Sequence, residues 1–520
     1  MRTVCIGLIA MLALLCGNPG RAVAAPQSSQ EVASADDETV VTHHEITVGG
    51  RSLKYTARAG YITLRDHNRE ARAKIFFVAY TLDRESNATP RPLTFAWNGG
   101  PGSPASMIQM GALGPRRLKT PDEYSKKPPP YELVDNESTW LTDSDLVFVD
   151  PVGTGYSYPT KPEYGKDFWS VQGDIDSIGE FIRIYRLEYD RTSSPLFVAG
   201  ESYGTVRAAG MAEALQKRDI PLTGVILISS LLNWKVSESS AANDIPYIVI
   251  LPSYTASAFA HKKLATDLES DLQATLQKAE KWAESEYAPA LMKGDALAAS
   301  ERDSAIKGLA RYTGLDPKFI DKSNLRVTME QFSLSLLKDQ GEFVAHYDSR
   351  LSAKVTGESE YNPTTDPSLA GNGLGSVYVP YLRTDLGFKT DAFYSGPFSY
   401  GWPLTTTPRG DWLAILWDYG TSRTAPEPIE GLAKAMRSNS SLCVFSASGY
   451  YDLSTPYFST EYTLGHMGLS AKDHERIEIK AYPGGHMMYT NSENRKQLKV
   501  DVSAFIKKSL SSPQPESEVK

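Results

Sequence analysis

Two kinds of apolar patterning run along the chain, and then both stop. Residues 45–83, "EITVGGRSLKYTARAGYITLRDHNREARAKIFFVAYTLD", alternate apolar and polar positions around Gly-Gly and Gly-Tyr turns. That period of two predicts antiparallel strands. Short, nearly continuous apolar runs follow: "LTFAW" (93–97), "LVFVD" (146–150), "LFVAG" (196–200), "VILIS" (225–229), "LCVFSA" (442–447) and "RIEIKAY" (476–482). Runs of that kind predict strands buried on both faces of a parallel sheet. Helix-forming stretches lie between several of them, notably residues 171–189 and 205–218. Strand and helix in alternation predict an α/β fold with a mostly parallel central sheet flanked by helices. Between Trp234 and about Tyr400 the strand rhythm is absent. Residues 262–292 and 301–314 there have amphipathic helical spacing, and residues 360–382 read as loop-rich. The expected organisation is a sheet domain in two parts, 41–234 and 401–510, with a mainly helical cap, 235–400, inserted between them over an active site.

Composition narrows this picture. The chain has 520 residues, 41% hydrophobic and 22% charged, enough for one large core and a sizeable insertion. Its formal charge of −8 is spread without a basic run or basic-aromatic patch, so nothing points to nucleic acid. Arg2, the apolar stretch 6–15 and the small-x-small run Ala22-Val23-Ala24 predict a signal peptide over 1–24. The apolar stretch is too short to span a bilayer, and no other membrane span is expected once it is removed. A lipid anchor at Cys16 is the alternative, but Leu15 is a poor fit to the small residue expected before it. Residues 25–40 read as a disordered leader and 511–520 as a disordered tail. Cleavage would leave Cys443 alone, in the apolar run "SLCVFSA", as a core residue without a disulfide partner. An exported, periplasmic or secreted protein is expected, and the lack of disulfides fits a bacterial periplasm. Oligomeric state leaves no signal.

Candidate chemistry begins at "GESYG", residues 200–204, which follows an apolar run and opens a helix-forming stretch. A serine on such a tight strand-to-helix turn is exposed at the end of a sheet, where a nucleophile belongs. Ser202 then needs a base, an orienting acid and oxyanion donors. In this arrangement the acid and the histidine follow the serine in that order. His43, His44 and His67 precede it, and His261 and His346 fall in the insertion. His466 precedes the last strand, whereas His486 follows it in a glycine-bearing loop, so His486 is the candidate base. Asp452, after the run "LCVFSA", is the candidate acid that fixes its tautomer. Asp150 precedes the serine and reads as a structural turn residue. The backbone N–H groups of Tyr203 and of Gly100, in "FAWNGGPGSP", are the candidate oxyanion donors. No HExxH, P-loop or GxGxxG occurs, so no metal and no cofactor is expected.

"WNGGPG", "DLVFVDPVGTGYSY", "GESYG", "SGYYDLSTP" and "GGHMM" together, in this order, resemble the serine carboxypeptidase family, the carboxypeptidase Y-like peptidases. The resemblance spans most of residues 90–490. It implies an α/β-hydrolase fold with an inserted cap and release of C-terminal residues from peptides through an acyl-enzyme. Ser202, Asp452 and His486 match the family's triad, and Gly100 and Tyr203 its oxyanion donors. Asn98 and Glu201 match groups that hold the substrate's terminal carboxylate, with Gly99 and Met487 as further substrate-binding candidates. One departure matters: Ala112, in "SMIQMGALGP", stands where the family places a second glutamate. Without a like-charged neighbour, Glu201 is expected to ionise readily, to discriminate weakly between free and amidated C-termini, and to let activity extend toward neutral pH. Other acyl-transfer activities, such as an esterase or acyltransferase, remain the alternative enzyme reading. A catalytically silent binding protein is the alternative of a different class.

Overall fold

In a computed structural model of the chain, the described residues are 39–84, 89–119, 130–237, 239–240, 243–355, 366–368, 373–396 and 427–511. The expected signal peptide, nearly all of the leader, the tail beyond 511, and the part of the second sheet segment before 427 lie outside them.

The first three strands, β1 (Val40–Val48), β2 (Arg51–Arg65) and β3 (Ala71–Leu82), form the antiparallel meander that their period-two pattern calls for. Six further strands run parallel: β4 (Leu93–Trp97), β5 (Asp145–Val149), β6 (Leu196–Glu201), β7 (Gly224–Ile228), β8 (Cys443–Gly449) and β9 (Ile477–Tyr482). The order across the sheet is β1-β2-β3-β5-β4-β6-β7-β8-β9, with a two-residue strand, Tyr158–Pro159, beside β3. β5 is antiparallel to β3 and parallel to β4, so the change of direction falls between β3 and β5. This is the α/β-hydrolase arrangement: a mixed sheet with antiparallel N-terminal strands, a mostly parallel centre and helices on both faces.

β4, β5, β6, β7 and β8 are buried at every position, as uninterrupted apolar runs require. β9 departs from the expectation of burial on both faces. Among the described residues it is the edge strand, and Ile479 is 38% exposed with Lys480 outward. One face of the sheet is covered by α1 (Val171–Glu188), α2 (Gly204–Gln216) and α6 (Pro428–Ser438). The other is covered by α7 (Ser492–Ser511) and by Leu374–Thr384. Ser170 caps α1 by accepting from the Gly173 N–H at 3.0 Å, which satisfies one of the orphan donors of the first turn.

The region between β7 and β8 is mainly helical, with α3 (Ile245–Ala260), α4 (Leu272–Trp282) and α5 (Ala299–Thr313) around an apolar cluster of its own. Leu453, next to Asp452, belongs to that cluster and ties it to the sheet. The stretch expected to be loop holds the helix Leu374–Thr384, despite its β-branched residues and Pro380. Leu374, Tyr378, Tyr381 and Leu382 are all buried, so packing overrides local propensity. Among the described residues no helix is long and apolar enough to cross a membrane.

Candidate active site

The turn after β6 explains the glycines around Ser202. β6 ends at Glu201, Ser202 takes φ of +57°, and α2 starts at Gly204. A non-glycine residue is held in that sparsely populated region only when its surroundings over-determine it. Here the Ser202 N–H donates to the Ile228 carbonyl at 2.9 Å. A Cβ on Gly200 would lie 2.0 Å from the Gly204 carbonyl oxygen, so strand and helix can close this tightly only over a bare Cα. That same carbonyl accepts from Trp97 Nε1 at 2.8 Å, which fastens the elbow to the end of β4. Arg207, on α2, donates to the Asn98 carbonyl at 3.0 Å and pairs with Asp174 at 2.8 Å. Both charges are buried, and each is satisfied by the other and by fixed hydrogen bonds.

β8 and β9 deliver Asp452 and His486, the other two members of the expected triad. His486 Nδ1 donates to Asp452 Oδ2 at 2.7 Å. Asp452 is fully buried, and its Oδ1 accepts from the Ser454 and Thr455 N–H groups at 2.9 and 3.0 Å. The Thr455 hydroxyl donates to Oδ2 at 2.5 Å. These donors fix the plane in which His486 must sit. The His486 N–H donates to the Tyr347 carbonyl at 2.6 Å, and its own carbonyl accepts from Ser229 Oγ at 2.6 Å. Burial works against a charged imidazolium. The charge and hydrogen bond of Asp452, with Glu201 adding to them, outweigh it and hold the His486 pKa above its ordinary value. Among the described residues no hydrogen bond joins the Ser202 hydroxyl to His486, although both border one cavity of about 320 Å³. Such contacts often tighten only with substrate bound.

That cavity is also lined by Gly100 and Tyr203, by Asn98, Gly99 and Glu201, and by Met487, so every site residue expected from sequence except Asp452 faces it. Asp452 stands behind His486. His466 is exposed at the end of the helix Tyr457–Gly465, and its Nδ1 meets the Tyr462 carbonyl at 2.6 Å. Asp150 is buried and accepts from the Ala105 N–H at 2.8 Å, pinning the loop that carries Gly100. Burial pushes its carboxyl pKa up to about 7. Cys443 is buried and unpaired in β8. Among the described residues no cluster of histidine, cysteine and carboxylate side chains could hold a metal.

Glu201 overturns the expectation that it ionises readily. It is 2% exposed, and desolvation pushes its carboxyl pKa up to about 7 against the lowering effects of His486 and of a hydrogen bond from Tyr489. Loss of a like-charged neighbour at Ala112 is outweighed by loss of water, because a charge in an apolar surround costs several kcal/mol, on the order of the whole shift. Asn98 Nδ2 donates to Glu201 Oε2, and the Tyr489 hydroxyl lies 2.8 Å from both carboxyl oxygens. Sequence reasoning missed Tyr489, although it stands three residues after His486 in "GGHMMY". It also missed Thr455, in the "DLSTP" run, and the contributions of Tyr347, Met329 and Leu374 to the cavity wall.

A sequence model described as serine carboxypeptidase matches residues 49–340, more than half of the chain. Among curated proteins, Serine carboxypeptidase-like 5 of Arabidopsis thaliana is 30% identical over 168 residues, which are 32% of this chain and 36% of the relative. Pheromone-processing carboxypeptidase kex1 of Aspergillus niger is 31% identical over 174 residues, 33% of this chain and 26% of the relative. The chain thus spans about a third of the length of the curated relatives it matches. Among solved structures, a prohormone-processing carboxypeptidase from Saccharomyces cerevisiae superposes with a TM-score of 0.56 at 15% identity, over 87% of this chain and 91% of that one. That likeness carries the fold, and the family match carries the lineage: the chain belongs to the serine carboxypeptidase family.

Proposed function

We propose that the protein is a serine-type carboxypeptidase that releases C-terminal residues from peptides through an acyl-enzyme on Ser202. His486 Nδ1 is committed to Asp452, which leaves Nε2 as the base. Ser202 Oγ attacks the carbonyl carbon of the last peptide bond, and Nε2 takes its proton. The oxyanion is met by the N–H groups of Gly100 and Tyr203. Nε2 returns the proton to the leaving amine, the C–N bond breaks, and water hydrolyses the ester by the same route. The observation that carries the terminal specificity is the hydrogen-bonded pair Asn98 and Glu201, adjoining the nucleophile at the cavity wall. A buried carboxyl with a pKa near 7 keeps its proton in mildly acidic solution and can donate to a terminal carboxylate rather than repel it.

The helical insertion acts as the cap, supplying Met329 and Tyr347 to the cavity wall. Met107, Leu231, Met329 and Leu374 give the cavity an apolar wall, which favours apolar side chains beside the cut bond. The N-terminal pattern favours export to a periplasm or the outside of the cell, with a mature chain beginning near Ala25; N-terminal sequencing of the secreted protein checks this. The activity is tested by incubating purified protein and its Ser202→Ala variant with a defined peptide mixture and reading the products by mass spectrometry. Stepwise loss of C-terminal residues, absent in the variant, is expected. Internal cuts, or turnover of simple esters alone, would contradict the reading.

A further inference from the structure

Among the described residues no second carboxyl group is hydrogen-bonded to Glu201, yet its two oxygens are not left to burial alone. Tyr489 lies in the turn Met488–Thr490, just past His486, and its ring is fully buried. The ring rests on Gly111, in the segment "QMGAL" that also carries Ala112. A Cβ at Gly111 would come within 2.6 Å of Tyr489 Cε2, so this glycine makes the room in which the ring lies. At the far end of the ring the hydroxyl sits 2.8 Å from each Glu201 oxygen. Buried Arg495 donates to the Tyr489 backbone carbonyl at 3.0 Å and holds the turn in place.

We propose that Tyr489 is a positioning residue for substrate recognition: its phenol bridges both oxygens of Glu201 and, in place of a second acid, governs whether Glu201 meets a peptide's terminal carboxylate as a donor or as a charge. This rests on the carboxypeptidase reading above. The phenol remains protonated, because burial beside Glu201 raises its own pKa well above the ordinary value. As a donor to both Glu201 oxygens it favours the ionised form. The other ionisable groups acting on Glu201 are His486, which favours ionisation, and Asp452, which opposes it. Removing the phenol hydroxyl takes away one donor to the carboxylate and leaves those two unchanged. Glu201 then keeps its proton to higher pH, and the preference for a free C-terminus persists further into the neutral range.

The sign distinguishes this role from simple packing. A ring that only fills space would, when trimmed of its hydroxyl, weaken the site without moving its titration. The test uses full-length protein carrying Ser202→Ala, with and without Tyr489→Phe. Binding of one peptide acid and its matched peptide amide is followed by calorimetry from about pH 5 to about pH 9. Because no turnover is involved, recognition is read separately from catalysis. In the Ser202→Ala background, acid-over-amide preference is expected to fall about tenfold per pH unit above a midpoint near 7. With Tyr489→Phe added, that midpoint should rise by about one pH unit, the size of one hydrogen bond to a charged acceptor. Glu201→Gln, which stays neutral at every pH, should abolish the fall. A midpoint that stays put or moves down in Tyr489→Phe overturns the proposal. If neither protein prefers the acid at any pH, the carboxypeptidase reading fails and the proposal falls with it. An acid preference that titrates without responding to Tyr489→Phe sinks the proposal alone.

Discussion

Ser202 is held in a left-handed backbone conformation with its N–H tied to Ile228, and His486 is held by Asp452, Thr455, Tyr347 and Ser229. Both residues are thus held in over-determined positions. Ser202→Ala and His486→Ala should each lower kcat on peptides by about 10⁴-fold or more with the fold intact, whereas His466→Ala should leave kcat near normal. Equal losses from the two histidine changes would show that the wrong one was assigned. Asp150 gives a second residue-scale expectation. Its folded pKa, about 7, lies above its ordinary value of 3.8. As pH rises between those two values the unfolded chain loses the proton that the folded chain keeps, so stability falls. Asp150→Asn retains an acceptor for the Ala105 N–H and cannot ionise. It should flatten the decline of stability across that window, by up to about 4 kcal/mol. Denaturant unfolding at several pH values, with parallel curves for both proteins, would refute this.

At the scale of elements, the elbow works because three of them meet on a few atoms. The end of β4, the turn after β6 and the first turns of α2 are joined by Trp97, Gly200 and the Arg207–Asp174 pair. Arg207→Ala leaves Asp174 buried without its counter-charge, and should destabilise the protein by about 3–5 kcal/mol. Equilibrium unfolding that shows less than about 1 kcal/mol would mean that the pair is incidental. These elements were legible in the sequence to very different degrees. The buried parallel strands, the glycine-flanked serine and the order serine, acid, histidine all leave local signatures. β9 reads like its neighbours, because being an edge strand is a property of the sheet and not of "RIEIKAY". The helix Leu374–Thr384 is legible only once its buried tyrosines are seen to pack on the sheet, since Pro380 and two valines argue locally against it. Tyr489 reaches Glu201 through a turn whose direction depends on a space left at Gly111, far away in sequence. Ala112 was visible as a departure, but its consequence was misread, because desolvation of Glu201 is set by the assembled fold.

At the scale of the whole molecule, a mixed sheet presents Ser202, Asp452 and His486 at the ends of its parallel strands, and the mainly helical region between β7 and β8 adds Met329 and Tyr347 to the cavity that Ser202 and His486 border. The insertion gives the cavity much of its apolar wall. Met329→Ala should therefore lower kcat/KM about tenfold on peptides with an apolar residue at the cut bond. Labelling of Ser202 by a small fluorophosphonate should be unaffected. A parallel loss of labelling would place Met329 in support of the triad instead. The Asn98–Glu201 pair and Ser202 border one cavity, the arrangement expected of an enzyme that reads the free end of a chain. The most direct test is kcat/KM for one peptide as its free acid and as its C-terminal amide, at about pH 6 and again at about pH 8. A strong preference for the acid at the lower pH is expected, shrinking by about tenfold or more at the higher one. Equal turnover of acid and amide at the lower pH would contradict it.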